Sequence, residues 1–149
     1  MIIWLFGQPC CGKTTLARAI QNWTMVENTP IHVIDGDEFR DVFQNKDYGR
    51  LGREKNIERA SIVARYMESC GQLVICSFVT PYESMRESIR QICGDSVKFV
   101  YLKYKGERGR ESYHVEDFEE PQMYDTLYLD TSELTKNECV KHILNYINN

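Results

Sequence analysis

Residues 7–14, which read GQPCCGKT, have the residue types and spacing of a loop that binds phosphate. They match the pattern G-x-x-x-x-G-K-[ST], in which two glycines let the backbone turn tightly enough to direct N–H groups at phosphate oxygens. Lys13 would bridge the β- and γ-phosphates of a nucleoside triphosphate, and the hydroxyl of Thr14 would coordinate Mg²⁺. The candidate residues for binding this triphosphate are Gly7, Gln8, Pro9, Cys10, Cys11, Gly12, Lys13, Thr14 and Thr15.

A second polar group follows the next apolar stretch, where residues 34–40 read IDGDEFR. We expect Asp35 and Asp37 at the carboxyl edge of a parallel sheet, where ligands bind in doubly wound folds. There Asp35 could accept the proton of an attacking hydroxyl or hold a metal-bound water, and Arg40 could bind an anionic group on an acceptor. Asp35 and Gly36 could also form a turn with Asp37 as the cap of the next helix, and such a cap would not exclude catalysis.

Short apolar stretches rich in β-branched residues alternate with helix-like segments, which is the pattern of a parallel sheet covered by helices. The predicted strands are 2–6, 31–35, 73–79, 97–102 and 126–129. The predicted helices are 13–23, 37–44, 53–70, 82–93 and 136–147. Together with the phosphate loop, this order predicts an α/β fold of the P-loop NTPase type, with three layers and a central parallel sheet flanked by helices.

Glycines and capping residues indicate where several of these helices begin or end. Gly71 and Gly94 follow two predicted helices, where a left-handed residue without a Cβ clash is favoured. Thr135 and Glu138 can form a capping box at the start of the last helix. Residues 104–122 are rich in charge and glycine and are predicted to form a mobile lid.

The composition limits the size, the partners and the location of the protein. A chain of 149 residues with 42% hydrophobic residues can bury one sizeable core, so we predict a single domain over residues 1–149. A net charge of -4 lacks the basic excess that nucleic-acid binding needs. The apolar start, residues 1–6, is too short for a membrane span or a signal peptide. We therefore expect a cytoplasmic protein without nucleic-acid or membrane partners, whose six cysteines are reduced.

Several motifs taken together resemble those of the adenylylsulfate kinases, over nearly the whole chain. Enzymes of that family move the γ-phosphate of ATP onto the 3′-hydroxyl of adenosine 5′-phosphosulfate. The resemblance implies ATP as donor, Mg²⁺ as cofactor, a small adenylyl acceptor and a homodimer. The motifs are GQPCCGKT at 7–14, IDGDEFR at 34–40, REKNIER at 53–59, FVTPYESMR at 78–86, DFEEP at 117–121, and Asp130-Thr131.

By this resemblance, Asp35 would be the base that activates the acceptor hydroxyl and, with Thr14, a metal ligand, while Lys13 would be catalytic. Two guanidinium groups and an amide suit a phosphosulfate and its ribose. Without the resemblance, Arg53 and Asn56 could equally be the exposed start of a helix. The candidate residues for binding the acceptor are Asp35, Asp37, Arg40, Arg50, Arg53, Asn56, Phe78, Val79, Thr80 and Tyr113.

The chain departs from the family pattern at the acceptor side and at the lid. Where the family supplies a Phe that stacks on the acceptor adenine, this chain offers Arg50, whose planar group can also stack on a base. The lid is shortened, and Arg108 and Arg110 are candidate ATP-binding cations or solvated loop charges. Tyr113 could replace a second stacking aromatic residue of the lid.

Three functions are compatible with these features. The first is ATP-dependent phosphorylation of adenosine 5′-phosphosulfate by direct in-line transfer. The second is phosphorylation of another nucleoside, nucleotide or small hydroxyl acceptor, because the phosphate loop determines the donor and leaves the acceptor open. The third is a weakened nucleotide-binding sensor, which the shortened lid suggests and the presence of Lys13, Thr14 and Asp35 argues against.

Overall fold

The computed structural model describes residues 1–26, 28–109, 111–122 and 125–149. Strands and helices alternate along the chain. The strands are β1 (Ile2–Phe6), β2 (Ile31–Asp35), β3 (Leu73–Phe78), β4 (Val97–Lys103) and β5 (Thr126–Asp130). The helices are α1 (Lys13–Val26), α2 (Gly36–Phe43), α3 (Arg50–Ser69), α4 (Glu83–Cys93) and α5 (Lys136–Asn148).

The five strands form one sheet in the order β2-β3-β1-β4-β5, and every neighbouring pair is parallel. All five residues of β1 are buried, as expected for a central strand with helices over both faces. The predicted α/β fold with a central parallel sheet is confirmed. No helix within the described ranges is long and apolar enough to cross a membrane.

The two faces of the sheet pack against different helices and so form two apolar layers. On one face Trp4 and Phe6 of β1 pack with apolar residues of α3 and α4. On the other face Ile3 and Leu5 pack with apolar residues of α1 and α5. This alternation along β1 follows from the two-residue period of a strand. The result is the predicted arrangement of three layers.

Most predicted boundaries lie within one or two residues of the observed ones, and two differ by three residues. Helix α1 ends at Val26, three residues after its predicted end. Helix α3 begins at Arg50 with Gly49 as its N-cap, three residues before its predicted start. The capping box of α5 is confirmed, because Thr135 and Glu138 exchange side-chain and backbone hydrogen bonds. Gly71 and Gly94 both have positive φ angles, of 81° and 59°, as predicted for helix ends.

Candidate active site

The phosphate loop begins at a glycine that no other residue could replace without distortion. Gly7 has a φ of 150°, and a Cβ at this position would lie 2.2 Å from the carbonyl oxygen of Leu102. Its N–H donates to the carbonyl of Val79 at 3.2 Å, which joins the loop to the chain just beyond β3. The loop therefore leaves β1 between β3 and β4 and turns directly into α1.

The side-chain nitrogen of Lys13 lies inside this loop. Its side chain is nearly buried, at 9% exposure, and Nζ donates to the carbonyl oxygens of Gly7 at 3.0 Å and Gln8 at 2.8 Å. The sulfur of Cys11 lies 3.5 Å from the same nitrogen. The ammonium group is thus held at the loop where its backbone turns, which is the place expected for a phosphate-binding lysine.

The predicted pair of Thr14 and Asp35 is brought together. The hydroxyl of Thr14, in the first turn of α1, donates to Oδ2 of Asp35 at 2.6 Å. The other carboxylate oxygen, Oδ1, accepts from the backbone N–H groups of Asp37 at 3.1 Å and Glu38 at 3.4 Å. Asp35 is therefore the N-cap of α2, a role the sequence suggested for Asp37. One oxygen holds the helix, and the other faces the phosphate loop.

A third oxygen close to this pair is not predicted from the sequence. The hydroxyl of Ser77, near the end of β3, lies 3.5 Å from the hydroxyl of Thr14. Ser77 is only 3% exposed. The sequence signal for Ser77 is a single hydroxyl in a strand whose other residues are apolar.

Arg40, a predicted acceptor-binding residue, holds the loop between α2 and α3. Its Nη1 donates to the carbonyl oxygens of Asn45 at 3.3 Å and Asp47 at 2.9 Å, and its guanidinium lies 4.3 Å from the ring centroid of Tyr48. Burial lowers the pKa of Arg40, although an arginine remains charged in proteins. This positive charge is therefore positioned by backbone oxygens of the loop.

Arg53 and Asn56 follow on the first turns of α3. The Nε of Arg53 donates to the carbonyl of Tyr48 at 2.9 Å, so it supports the same loop as Arg40. Asn56 is 3% exposed, and its side-chain oxygen has no hydrogen-bond partner among the described residues. A buried polar atom without a partner is costly, so this oxygen is a candidate to accept from a ligand.

The two predicted stacking residues have different surroundings. Arg50 places its guanidinium 4.2 Å from the ring centroid of Tyr82 and forms an ion pair with Glu54 at 3.1 Å. Tyr82 in turn donates its hydroxyl to Asp117 at 3.0 Å. Tyr113 belongs to a short 3-10 turn and is 70% exposed. The structure therefore brings Arg50 against an aromatic residue of the protein and leaves Tyr113 largely in solvent.

Phe78 and Thr80 lie at the carboxyl edge of β3 with their side chains engaged inside the protein. Phe78 stacks on Trp4 with ring centroids 5.2 Å apart. The hydroxyl of Thr80 accepts from the indole N–H of Trp4 at 2.9 Å, and its φ is 47°, which is rare for a β-branched residue. Contact between these side chains or Val79 and an acceptor remains a prediction.

Arg86 is the second residue whose position the sequence does not predict. It is fully buried, and its guanidinium bonds to the carboxylate of Glu83 and to the carbonyl oxygens of Thr80 at 3.1 Å and Glu119 at 2.7 Å. It therefore fixes the strained backbone at Thr80. It also joins α4 to the chain segment before β5.

That segment, residues 115–120, crosses the phosphate loop, and we call it the strap. The side chain of Gln8 exchanges two hydrogen bonds with the backbone of Val115, at 2.8 and 2.9 Å. Phe118 stacks on Tyr101 with ring centroids 5.8 Å apart. The backbone N–H of Glu119 donates to the carbonyl of Pro81 at 2.8 Å. The second half of the predicted mobile lid is thus fastened to the loop and to the sheet edge.

A cavity of about 260 Å³ lies beside the phosphate loop, on the β4 side. Gln8, Cys10, Tyr104 and Arg108 line it, together with strap residues. Arg108 donates to the carbonyl of Cys10 at 2.8 Å and stacks 3.7 Å from the ring centroid of Tyr104. This places the predicted cation against the loop. Arg110, the other predicted cation, lies outside the described residues.

The chain is similar in sequence to known proteins. The family model for adenylylsulphate kinase matches residues 1–110. The adenylyl-sulfate kinase of Pseudomonas entomophila is 32% identical over an alignment of 165 residues, which covers 97% of this chain and 79% of the relative. That of a Synechococcus strain is 26% identical over 95% of this chain and 90% of its own length.

The fold also matches a solved member of this group. The structure of APS kinase from Mycobacterium tuberculosis in complex with AMPPNP and APS superposes with a TM-score of 0.89. The match covers 99% of this chain and 97% of that one, at 18% identity, which shows a shared fold. With a family model that covers well over half of its length, this chain belongs to the adenylylsulphate kinase family.

Proposed function

We propose that this protein is an ATP-dependent kinase that phosphorylates the 3′-hydroxyl of adenosine 5′-phosphosulfate (APS). The observation that carries the proposal is the 2.6 Å hydrogen bond between Thr14 and Asp35, at the junction of the phosphate loop and the acceptor side. A carboxylate at this junction can act on an acceptor hydroxyl beside the donor phosphates. Membership of the adenylylsulphate kinase family supports APS as that acceptor.

The donor half of the site rests on the loop and its cation. The positive end of α1 and the backbone N–H groups after Gly7 attract phosphate oxygens, and Lys13 adds a full positive charge. Arg108, held at the carbonyl of Cys10, is a second cation on the cavity side of the loop. These groups bind and orient a triphosphate and stabilise charge on the transferred group.

The oxygen atoms of Thr14 and Asp35 also suit Mg²⁺. This ion prefers hard oxygen ligands, keeps several waters, and usually takes one or two protein groups together with substrate phosphates. A hydroxyl and a carboxylate oxygen 2.6 Å apart beside the phosphate loop offer that donor set. Bound there, Mg²⁺ would neutralise charge that develops on the phosphates.

The acceptor half uses Asp35 in a second way. Its Oδ1 is fixed by two N–H groups at the start of α2, so Oδ2 keeps a defined direction toward an incoming hydroxyl and can accept its proton. The unpartnered oxygen of Asn56 would accept from a ribose hydroxyl, which removes the cost of burying it without a partner. Arg40 and Arg53 supply positive charge for the phosphosulfate.

One observation favours a second candidate, a kinase for a different small hydroxyl acceptor. Arg50 packs on Tyr82 and pairs with Glu54 with 53% of its side chain exposed, and Tyr113 is 70% exposed, so neither predicted stacking group lies in an enclosed base pocket. An acceptor without a base would not need such a pocket. Homodimer formation and a cytoplasmic location remain predictions from the sequence.

The test is turnover of purified protein with Mg-ATP and APS, measured as ADP formation and as 3′-phosphorylated product. We expect turnover that falls at least about a hundredfold in Lys13→Ala and in Asp35→Asn, the range typical for loss of a catalytic group. Lys141→Ala, which removes an exposed lysine on α5, is the matched control and should leave the rate unchanged. Turnover of other hydroxyl acceptors without turnover of APS would overturn the proposed acceptor, and nucleotide binding without any turnover would favour the sensor.

A further inference from the structure

Ser77 carries a buried hydroxyl in β3, a strand whose other side chains are apolar and belong to the core. In β3 the side chains of Leu73 and Ile75 face the apolar layer under α1 and α5, and Ser77 is the next residue on that face. It is 3% exposed, so neither solubility nor solvent contact explains a polar side chain at this position. The same face of β2 carries Ile31 and Val33 and ends in the same way, with Asp35.

The register of the sheet places these two polar ends side by side. Asp35 is the direct partner of Ser77 in the parallel pair of β2 and β3, and Ser77 is also the partner of Leu5 in β1. The first turn of α1, which lies over this face, adds Thr14. A Cβ at Gly36 would come within 3.1 Å of the Ser77 carbonyl, so a glycine after Asp35 permits this close approach.

The distances among the three oxygens are unequal. Thr14 donates its only hydroxyl proton to Asp35 at 2.6 Å, which leaves lone pairs on the Thr14 oxygen. Ser77 lies 3.5 Å from that oxygen, which is longer than a good hydrogen bond between hydroxyls. This weak contact leaves the Ser77 hydroxyl able to bond strongly to another oxygen, such as a water beside Thr14 and Asp35.

We propose that Ser77 is a positioning residue of the Mg²⁺ site, where its hydroxyl holds a water of the ion's hydration shell against Thr14 and Asp35. Mg²⁺ keeps several of its waters in proteins, and those waters need oriented partners. The inference rests on the proposed Mg-ATP chemistry. It does not depend on which acceptor is phosphorylated.

The test compares Ser77→Ala, which removes only the hydroxyl, with Ser61→Ala. Ser61 is equally buried, but its hydroxyl bonds to the carbonyl of Ile57 within α3. ADP binding is measured by calorimetry in Mg²⁺ and in EDTA, and the ratio of the two dissociation constants reports how much Mg²⁺ strengthens binding. Loss of an outer partner of a metal site commonly costs 10–100-fold, so we expect this ratio to fall about tenfold in Ser77→Ala. In EDTA, Ser77→Ala should bind ADP as tightly as the wild type. Ser61→Ala should have the wild-type dissociation constant both in Mg²⁺ and in EDTA.

A conservative substitution and turnover kinetics distinguish a positioning role of the Ser77 hydroxyl from a role in packing. Ser77→Thr keeps the hydroxyl and should restore most of the Mg²⁺ effect. In turnover assays, Ser77→Ala should raise the Mg²⁺ concentration needed for half-maximal rate by a similar factor and leave the KM of the acceptor unchanged. A ratio within about twofold of wild type, or an equal loss of binding with and without Mg²⁺, overturns the proposal. If the wild-type protein does not phosphorylate APS, the proposed function fails and the binding ratio still decides the role of Ser77.

Discussion

Thr14 and Asp35 lie 21 residues apart in the chain, and their side chains meet in a hydrogen bond of 2.6 Å. One belongs to the helix that follows the phosphate loop, and the other ends the edge strand β2 and caps α2. This hydrogen bond joins the predicted metal ligand of the phosphate loop to the proposed base of the acceptor side. It also means that Asp35 has a structural role and a proposed catalytic role, carried by different oxygen atoms.

The two roles of Asp35 can be separated by two substitutions. Asparagine is as good an N-cap as aspartate, so Asp35→Asn should leave the free energy of unfolding nearly unchanged while turnover collapses. Asp35→Ala should lose turnover and also about 1 kcal/mol of stability. Urea unfolding and steady-state kinetics measure both effects. Thr135→Ala, which removes the cap of α5, is the control and should lose stability only. Full activity in Asp35→Asn would contradict the catalytic role.

Gly7→Ala should destabilise the protein far more than Gly71→Ala. The new Cβ would lie 2.2 Å from the Leu102 carbonyl, so the loop or β4 must move, in addition to backbone strain of about 1–3 kcal/mol. Gly71→Ala is the matched control, because Gly71 has a positive φ of 81° and no heavy atom within 4 Å of its Cβ position. Thermal unfolding of both variants measures the difference, and equal destabilisation would show that the close contact is unimportant.

Gln8→Ala should loosen the strap without unfolding the protein. The variant loses two hydrogen bonds to the backbone of Val115, each worth roughly 0.5–1.5 kcal/mol. We therefore expect hydrogen exchange at the Val115 amide to speed up about 5–150-fold. Gln21→Ala removes a comparable bond to the carbonyl of Ile31, far from the strap, and should leave exchange at Val115 unchanged. Unaltered protection in Gln8→Ala would mean that other contacts hold this segment.

Asp130 should make the protein sensitive to acid. Hydrogen bonds from Lys105 and Ser132 lower its pKa to about 2, from an ordinary value of 3.8. A lowered carboxyl pKa contributes stability above the unfolded value, and this is lost as the pH falls through the folded value. The stability difference between wild type and Asp130→Asn should thus be constant near neutral pH and shrink between about pH 4 and pH 2. Urea unfolding at several pH values measures it, with the exposed Asp95→Asn as control. A difference that does not change with pH would contradict the prediction.

The cysteines should differ sharply in reactivity. Burial raises the pKa of Cys93 to about 11 and raises that of Cys76 well above its usual value, whereas Cys70 is exposed. The thiolate is the reactive form, so an alkylating reagent at mildly alkaline pH should label Cys70 early and spare Cys76 and Cys93 until the protein unfolds. Peptide mass mapping identifies the order, and Cys70→Ser should remove the earliest labelling. Early labelling of Cys93 would contradict the burial of that thiol.

The strands and helices could be predicted from the sequence because each is encoded locally. Apolar stretches, helix caps and the phosphate-loop pattern all lie within a few residues of the structure that they specify. The predicted start of α3 lies three residues after the observed one because residues 49–52 contain two glycines, and the N-cap Gly49 has no side chain to indicate a helix start. Local patterns also predict Lys13, Thr14 and Asp35 as site residues, and the structure brings Thr14 and Asp35 into contact.

The positions of Ser77, Arg86 and the strap depend on long-range contacts that leave no such pattern. Gln8 and Val115 are 107 residues apart. The side chain of Gln8 bonds only to backbone atoms of Val115, so the identity of the second residue gives no sequence signal. The guanidinium of Arg86 bonds to Thr80 and Glu83 nearby in the chain and to Glu119, which is 33 residues away, and this distant partner is not visible in its polar sequence neighbourhood. The charge and glycine content of residues 104–122 predict a mobile lid, whereas the structure holds its second half, the strap, through these long-range contacts.

The pair of hydrogen bonds between Gln8 and Val115 also has a thermodynamic consequence. Gln8 belongs to the predicted phosphate loop, so the equilibrium position of the strap and the affinity of that loop for nucleotide would share one connecting residue. Linkage between two such equilibria is reciprocal. If closing the strap tightens nucleotide binding by some factor, bound nucleotide favours the closed strap by that same factor, and each of the two can be measured through the other.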